Sequence, residues 1–273
     1  MHTHLQIDCG KCFGLCCVAL YFSTSDGFPE DKKAGVPCRN LEEGFHCAIH
    51  QELGAKGLKG CMAYDCFGAG QQVAQVTYQG ESWKGTPHGK EMYEVFLQMR
   101  KLHEMLWYLT EGIARLSRPE LKKELETMVS ETSALTQLSQ QEILKLDLEN
   151  HRLKVNLLLR QVCQEVGKQA QARKGRTGKQ RALKAGYEFI GANLTGTYLI
   201  GANLSGSLLI AANLKGVDLT GATMIGTDLR DANICGANLS ESLFLTQGQV
   251  NTAQGDQETQ LPSRLVRPST WIK

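Results

Sequence analysis

From residue 186 onward large apolar side chains recur with a period of five. Phe189, Leu194, Leu199, Leu204, Leu209, Leu214, Leu219, Met224, Leu229, Ile234, Leu239 and Phe244 fill the fourth place of twelve consecutive groups. Two places before stands a mostly small residue, as at Ala192, Ala202, Ala212, Ala222, Ala232 and Ala237, and two places after usually a glycine. Five matches neither the 3.6-residue stripe of a helix nor the two-residue alternation of a strand. The pattern predicts a solenoid: the chain sends one side chain inward at each step, turns at a small corner residue, and stacks its coils on a continuous core.

Upstream the rhythm changes. Met92, Val95, Phe96, Met99, Leu102, Leu106, Leu109 and Ile113 are spaced by threes and fours, one apolar stripe of a helix. Ser117-Arg-Pro-Glu120 and Ser139-Gln-Gln-Glu142 have the capping-box spacing that starts a helix. The third stripe carries Ile143, Leu144, Leu148, His151, Val155, Leu158, Leu159 and Val162. Helices are therefore expected over 88–116, 118–136 and 140–166, an antiparallel bundle occupying 81–166. His103, His151, Trp83 and Trp107 lie among these apolar positions and are read as packed side chains rather than ligands.

Residues 1–80 show neither rhythm. Short apolar runs such as Cys17–Phe22 are interrupted by turn residues, as at Ser25-Asp-Gly27 and Gly35-Val-Pro37. So little apolar surface gives little core, and another source of order is expected. Eight of the ten cysteines supply it: Cys9, Cys12, Cys16, Cys17, Cys38, Cys47, Cys61 and Cys66. The N-terminus lacks the basic and apolar blocks of an export signal, and no run reaches the ~18 apolar residues of a spanning helix. A cytoplasmic, non-membrane protein is expected, and in a reducing compartment grouped thiols point to metal before disulfides. A Cys-x-x-Cys pair chelates one ion without strain, and zinc and iron both accept sets of four thiolates. Zinc is the first expectation, because structural zinc explains a unit too small to fold on its own core; iron or an iron–sulfur cluster is the second. His46 and His50 flank Cys47 as alternative donors. Buried inert thiols, redox thiols and disulfides are the competing readings of the same residues.

The units Gly191-Ala-Asn-Leu-Thr195, Gly201-Ala-Asn-Leu-Ser205 and Asp231-Ala-Asn-Ile-Cys235 resemble those of pentapeptide-repeat proteins. The resemblance implies a right-handed quadrilateral β-helix with four pentapeptides per coil. Three coils then occupy 186–245, on the order of 15 Å tall at the usual strand spacing. Residues twenty apart stack, with Asn193, Asn213 and Asn233 outside and Leu194, Leu214 and Ile234 inside. Ile190, Leu208 and Ile210 form an apolar outer face, a seat for the chain's own helices or for a protein partner. The tail, 246–273, is expected to open with a short helix capped by Thr246 and closed by Gly255, and to cover the open end with Leu261-Pro262 and Arg267–Trp271. The cysteine array is similar to CxxCxxCC-type zinc- or iron-chelating domains, with Cys47-Ala-Ile-His50 echoing a later element of theirs. It departs from them in the three residues between Cys12 and Cys16 and in the ending Cys61–Cys66.

Charge adds one feature. The chain has 30 Lys+Arg against 28 Asp+Glu, net +2, so no partner follows from the total. The segment 167–185 is basic and almost free of apolar residues, and reads as an exposed linker or a frayed helical extension. Its Arg173, Lys174, Arg176, Lys179, Arg181 and Lys184 are candidate phosphate contacts for nucleic acid, without interleaved aromatics. Gly175–Gln180 lacks the first glycine and the Ser/Thr of a phosphate loop.

The expected fold class is multidomain α+β: a small Cys-rich metal module (1–80), a helical bundle (81–166), the linker, the three-coil repeat column and a capping helix. No nucleophile–base pair or carboxylate pair stands out, so the leading expectation is a non-enzymatic metal-binding scaffold that presents the repeat to a macromolecular partner. An iron–sulfur or thiol redox protein is the second. Some pentapeptide-repeat proteins resemble DNA and act on gyrase in antibiotic resistance. Here Glu188, Asp218, Asp228, Asp231 and Glu241 against Lys215 and Arg230 make the repeat only weakly acidic.

Overall fold

The computed structural model describes residues 5–174 and 188–271, together with the backbone of Lys179–Gln180. The chain divides into two compact units. The first comprises Met1–Gly60 and Cys66–Leu158, the second Cys61–Asp65 and Leu159–Lys273. The helices are α1 (Leu15–Ala19), α2 (Lys59–Ala63), α3 (Ala69–Gln71), α4 (Gly89–Arg115), α5 (Pro119–Leu135), α6 (Gln140–Lys145), α7 (Leu148–Lys174) and α8 (Gln247–Thr252). The two short strands are β1 (Lys179–Gln180) and β2 (Thr197–Tyr198), paired in parallel. No helix among the described residues is long and apolar enough to cross a membrane.

In the first unit α4 is the organising element, touching α1, α3, α5 and α6. Its predicted stripe is the buried one: Met92, Val95, Phe96, Met99, Leu102, Leu106 and Leu109 are all at most 2% exposed. The expected third helix is two. The Ser139–Glu142 capping box starts α6, which stops at Leu146 in extended backbone. Asp147 then starts α7 by accepting the Asn150 N–H on Oδ1 at 3.1 Å. The break is invisible to periodicity because Leu144 and Leu148 keep their spacing across it. The capping box expected at Ser117 does not start α5. Its N-cap is Arg118 and Pro119 is the first helical residue, where a fixed φ and a missing N–H cost nothing.

The second unit holds the repeat. From Phe189 to Leu239 each core residue's carbonyl accepts the N–H three residues on, for example Thr197 N to Leu194 O at 3.0 Å and Ala202 N to Leu199 O at 3.0 Å. The third residue of these turns has positive φ, as at Gly196 (68°) and Gly201 (65°). Positive φ there is the signature of a type II turn, and explains why the residue two places after the apolar one is usually glycine. Successive coils are joined by single-residue parallel bridges between positions twenty apart, Asn193 with Asn213, Asn213 with Asn233, Asn203 with Thr223 and Asp218 with Asn238. Very little continuous strand results, because a turn intervenes every five residues. Of the twelve predicted core side chains Phe189 is 5% exposed and the rest at most 1%. At two of the small positions a hydroxyl finds a carbonyl: Thr227 Oγ1 donates to Leu204 O at 2.8 Å, and Ser242 Oγ to Leu239 O at 2.8 Å.

The tail caps this column by continuing it. Thr246 and Gln249 form a capping box at the start of α8, and Gln254 and Gln260 then bridge to Asn233 and Asn238. The helix ends at Thr252, before the expected Gly255, which instead lies against the Trp271 ring. Trp271 Nε1 donates to Ala253 O at 2.9 Å.

The segment expected as an exposed linker or a helical extension begins as helix, since α7 runs to Lys174. Its last turns pack on the column: Val166 and Ala170 are buried, and a Cβ on Gly201 would lie 2.4 Å from the Gly167 carbonyl oxygen. A stripe of small residues lets the helix backbone touch the coil backbone.

Candidate functional site

Asp8 begins the cysteine-bearing region by capping a 3-10 turn over Cys9–Lys11, its Oδ1 accepting Gly10 N–H at 3.1 Å. Residues of α3 and the π-helical turn after it hold that segment. Gln71 accepts Asp8 N–H at 2.6 Å and donates to Gln6 O at 3.0 Å, and Gln75 donates to Lys11 O at 2.9 Å. The chain then turns through Phe13 (φ 51°) and Gly14 (φ 61°) into α1, which carries Cys16 and Cys17.

A second turn arrives from far along the chain. Phe67 (φ 51°) and Gly68 (φ 78°) lead from Cys66 into α3. Left-handed backbone is costly for phenylalanine, and each turn is held by a ring N–H on the phenylalanine carbonyl. Trp83 Nε1 donates to Phe13 O at 2.7 Å, and His103 Nδ1 to Phe67 O at 2.8 Å. The backbone of α3 passes directly over Cys12: a Cβ on Gly70 would lie 2.8 Å from Cys12 Cβ and 3.7 Å from its Sγ.

The thiols of Cys9, Cys12, Cys16, Cys17 and Cys66 feel one another. Cys9 is pushed up by its hydrogen bond to Cys12, by burial, and by Cys12, Cys66 and Cys17 nearby. Cys12 is held down at about 7, chiefly by the Cys9 thiol, with help from the Gly14 and Leu15 amides and against burial. As a neutral thiol it donates to Cys9 O at 3.4 Å. Cys16 is pushed up by its bond to Cys17, by burial and by Cys17, Cys12 and Cys66; Cys17 is lowered by Cys16 and, more weakly, by Lys32. Lys32 is itself buried, its ammonium donating to Val18 O at 3.0 Å, Leu20 O at 2.5 Å and Lys33 O at 3.1 Å. A fixed cation beside soft, ionisable sulfur favours thiolate.

The eight predicted cysteines thus separate. Five gather at the two turns. Cys38 and Cys47 lie on the 38–48 loop, where Cys38 N–H meets Cys17 O at 2.9 Å and burial raises the Cys47 thiol, with smaller contributions from Cys17, Cys38 and Glu42. Cys61 belongs to the segment that falls in the second unit. His46 and His50 are exposed. All ten cysteines are free thiols. Among the described residues no three His, Cys, Asp or Glu side chains stand in the arrangement that holds a metal ion. The sequence reading placed all eight in one set without distinguishing among them. The available signal was the tripeptide Cys-Phe-Gly, which occurs at both 12–14 and 66–68.

The other predicted sites are simpler. His103 is 1% exposed and bonded as above. Thr132 donates its hydroxyl to Met128 O at 2.7 Å, so it accepts from His151 Nε2 at 2.9 Å, which places the proton of that imidazole on Nε2. Of the candidate phosphate-binding cations, Arg173 pairs with Glu241 at 2.7 Å and Lys174 with Asp218 at 3.4 Å. Lys179 is described only as backbone in β1, and Arg176, Arg181 and Lys184 lie outside the described residues.

Residues 188–224 and 212–244 match the family model described as pentapeptide repeats, in eight copies. The whole chain is similar to the Bacillus subtilis (strain 168) protein printed as "Uncharacterized protein YybG", 51% identical over 272 residues, 99% of this chain and 96% of that protein. Among solved structures, the pentapeptide repeat protein Rfr23 from the cyanobacterium Cyanothece 51142 aligns at 30% identity over 27% of this chain and 46% of its own, with a TM-score of 0.21.

Proposed function

Because the chain belongs to the pentapeptide-repeat proteins, we propose that it is a non-enzymatic scaffold whose thiol-rich unit is organised by a metal ion and whose column presents a surface to a protein partner. The metal reading rests on the mutual electrostatic influence of thiols from two distant segments, Cys9–Cys17 and Cys66, on the two like Cys-Phe-Gly turns, and on the buried ammonium of Lys32, which acts on Cys17. Soft donors in that number suit zinc or iron, and Cys9, Cys12, Cys16, Cys17 and Cys66 are the residues that would hold the ion. The metal would supply the cross-linking that the sparse apolar content of this region lacks.

The column's period-twenty bridges and five-residue turns support reading it as the right-handed quadrilateral β-helix of the family. Its partner face is assigned to Ile190, 58% exposed, with half-buried Leu208 and Ile210 beside it. Ten free thiols fit a reducing, cytoplasmic compartment. Among the described residues, the cations Arg173, Lys174 and Arg230 are paired with Glu241, Asp218 and Asp228.

Metal analysis and an absorption spectrum of protein purified without oxygen test this reading. Colourless protein with stoichiometric zinc is the expected result. Iron with sulfide and visible bands gives the site to an iron–sulfur redox centre, and protein without bound metal overturns the metal reading.

A further inference from the structure

A cavity of about 600 Å³ in the first unit is lined by residues of the 27–40 stretch together with Ile49, Lys56 and Leu58. Backbone contacts fix its walls. A Cβ on Gly27 (φ 88°) would collide with the Gly57 carbonyl, so these two segments run backbone against backbone. Phe22 and Lys32 exchange N–H···O bonds at 3.0 and 2.8 Å, and Ala48 N–H donates to Asn40 O at 2.9 Å. Phe28 and Leu58 are buried and Ile49 half-buried, so the inner lining is apolar, while Lys33, Arg39 and Lys56 are exposed at the rim. A pre-formed apolar cavity of this size with a few polar groups is the usual form of a small-molecule site.

The charged groups of the lining favour an anion. Asp31 is already engaged, Oδ1 accepting Thr24 N–H and Oδ2 the Tyr21 hydroxyl, each at 3.0 Å. Glu30 meets Arg39 only at 3.6 Å, between side chains 77% and 61% exposed, a contact worth little in water. Among the described residues neither the Lys33 ammonium nor the half-buried Asn40 amide has a protein partner. The buried Lys32 ammonium adds a fixed positive charge to the lining. Independently of any metal, we infer that this cavity binds a small amphipathic anion, an apolar chain or ring that carries a carboxylate or a phosphate ester. Its body lies on Phe28, Ile49 and Leu58, and its head on Lys33, Asn40 and Arg39. The head takes the place of Glu30 on Arg39, which makes Glu30 a competitor for the same guanidinium.

Methyl-labelled full-length protein, titrated in turn with octanoate, octyl phosphate and octylamine and followed by NMR, tests this assignment with one tail and heads of opposite charge. At least one of the anions should give saturable shifts at the methyls of Val36, Ile49 and Leu58 and leave those of the column in place. Tighter octanoate assigns a carboxylate head, tighter octyl phosphate a phosphate. Octylamine should bind roughly tenfold more weakly than the better anion. Lys33→Gln should weaken anion binding about tenfold, the usual worth of one charge-assisted hydrogen bond. Glu30→Gln should tighten it about threefold by freeing Arg39. Both positions are exposed, so unchanged methyl spectra elsewhere report an intact fold, and the wild-type titrations stand whatever the variants do. Absence of saturable shifts at these methyls with either anion overturns the inference. So does octylamine that binds as tightly, affinity that holds or rises in Lys33→Gln, or affinity that falls in Glu30→Gln.

Discussion

The column and the thiol-rich unit spend strained backbone differently. In the column left-handed corners recur every five residues and fall mostly on glycine, with Ala211 (φ 53°) and Asp231 (φ 59°) as substitutes. The strain is small, and what it secures is packing: one apolar side chain inward per turn. In the thiol-rich unit the left-handed residues other than glycine are Phe13, Phe45, Phe67 and Gln79, and ring N–H groups from elsewhere in that unit hold the carbonyls of Phe13 and Phe67. The column is ordered by a repeat of twelve steps, the cysteine-bearing turns by one pair of ring N–H contacts, on Phe13 O and Phe67 O.

Substitutions can break this contrast or sharpen it. The largest effect is expected from Leu219→Ala, which empties a fully buried position in the middle coil. A loss of about 2–5 kcal/mol, read from the urea midpoint, is expected for such a cavity. Gly201→Ala should follow at about 2–4 kcal/mol, combining an unfavourable φ with overpacking, because its Cβ would meet the Gly167 carbonyl at 2.4 Å. In the other unit Trp83→Phe removes the N–H that holds Phe13 and should cost about 1–2 kcal/mol, while weakening metal binding out of proportion to stability. Gly191→Ala should cost about 1 kcal/mol or less, since nothing lies within 4 Å of its Cβ and Ala211 already occupies the equivalent corner one coil on. An effect as large as that of Gly201→Ala would refute the claim that the helix contact, rather than the corner, makes Gly201 special.

The smallest effect concerns pH. Burial holds the His151 imidazole below its ordinary 6.5, so the folded state takes up its proton less readily than the unfolded chain. Its contribution is full above about pH 6.5 and is lost as pH falls through that value toward the lower folded one. Stability measured from pH 7.5 to 5 should therefore decline more in wild type than in His151→Gln.

The two regions were also unequally legible. Period five exposed the whole column core, Phe189 to Phe244, because the same local rule acts at every step. The break at Leu146–Asp147 was hidden because apolar spacing continues across it while a single aspartate cap decides it. The tail's return to the ladder at Gln254 and Gln260 was hidden because α8 interrupts the period. The end of α7 looked like a linker because it contacts the column through Gly167 and Ala170, and small residues leave no hydrophobic signal. Cysteine spacing marked a thiol-rich region but not which thiols meet. Proximity of Cys66 to Cys9 and Cys16 depends on a return of the chain over some fifty residues, for which the repeated Cys-Phe-Gly was the one local clue.

Hydrogen exchange of the full-length protein, with and without a strong zinc chelator, tests most directly whether metal orders one unit and packing the other. Chelation should strip protection from residues 8–19 and 66–78 and leave 188–260 as slow as before. Unchanged protection at 8–19 and 66–78 in a protein shown to have lost its metal would contradict the account.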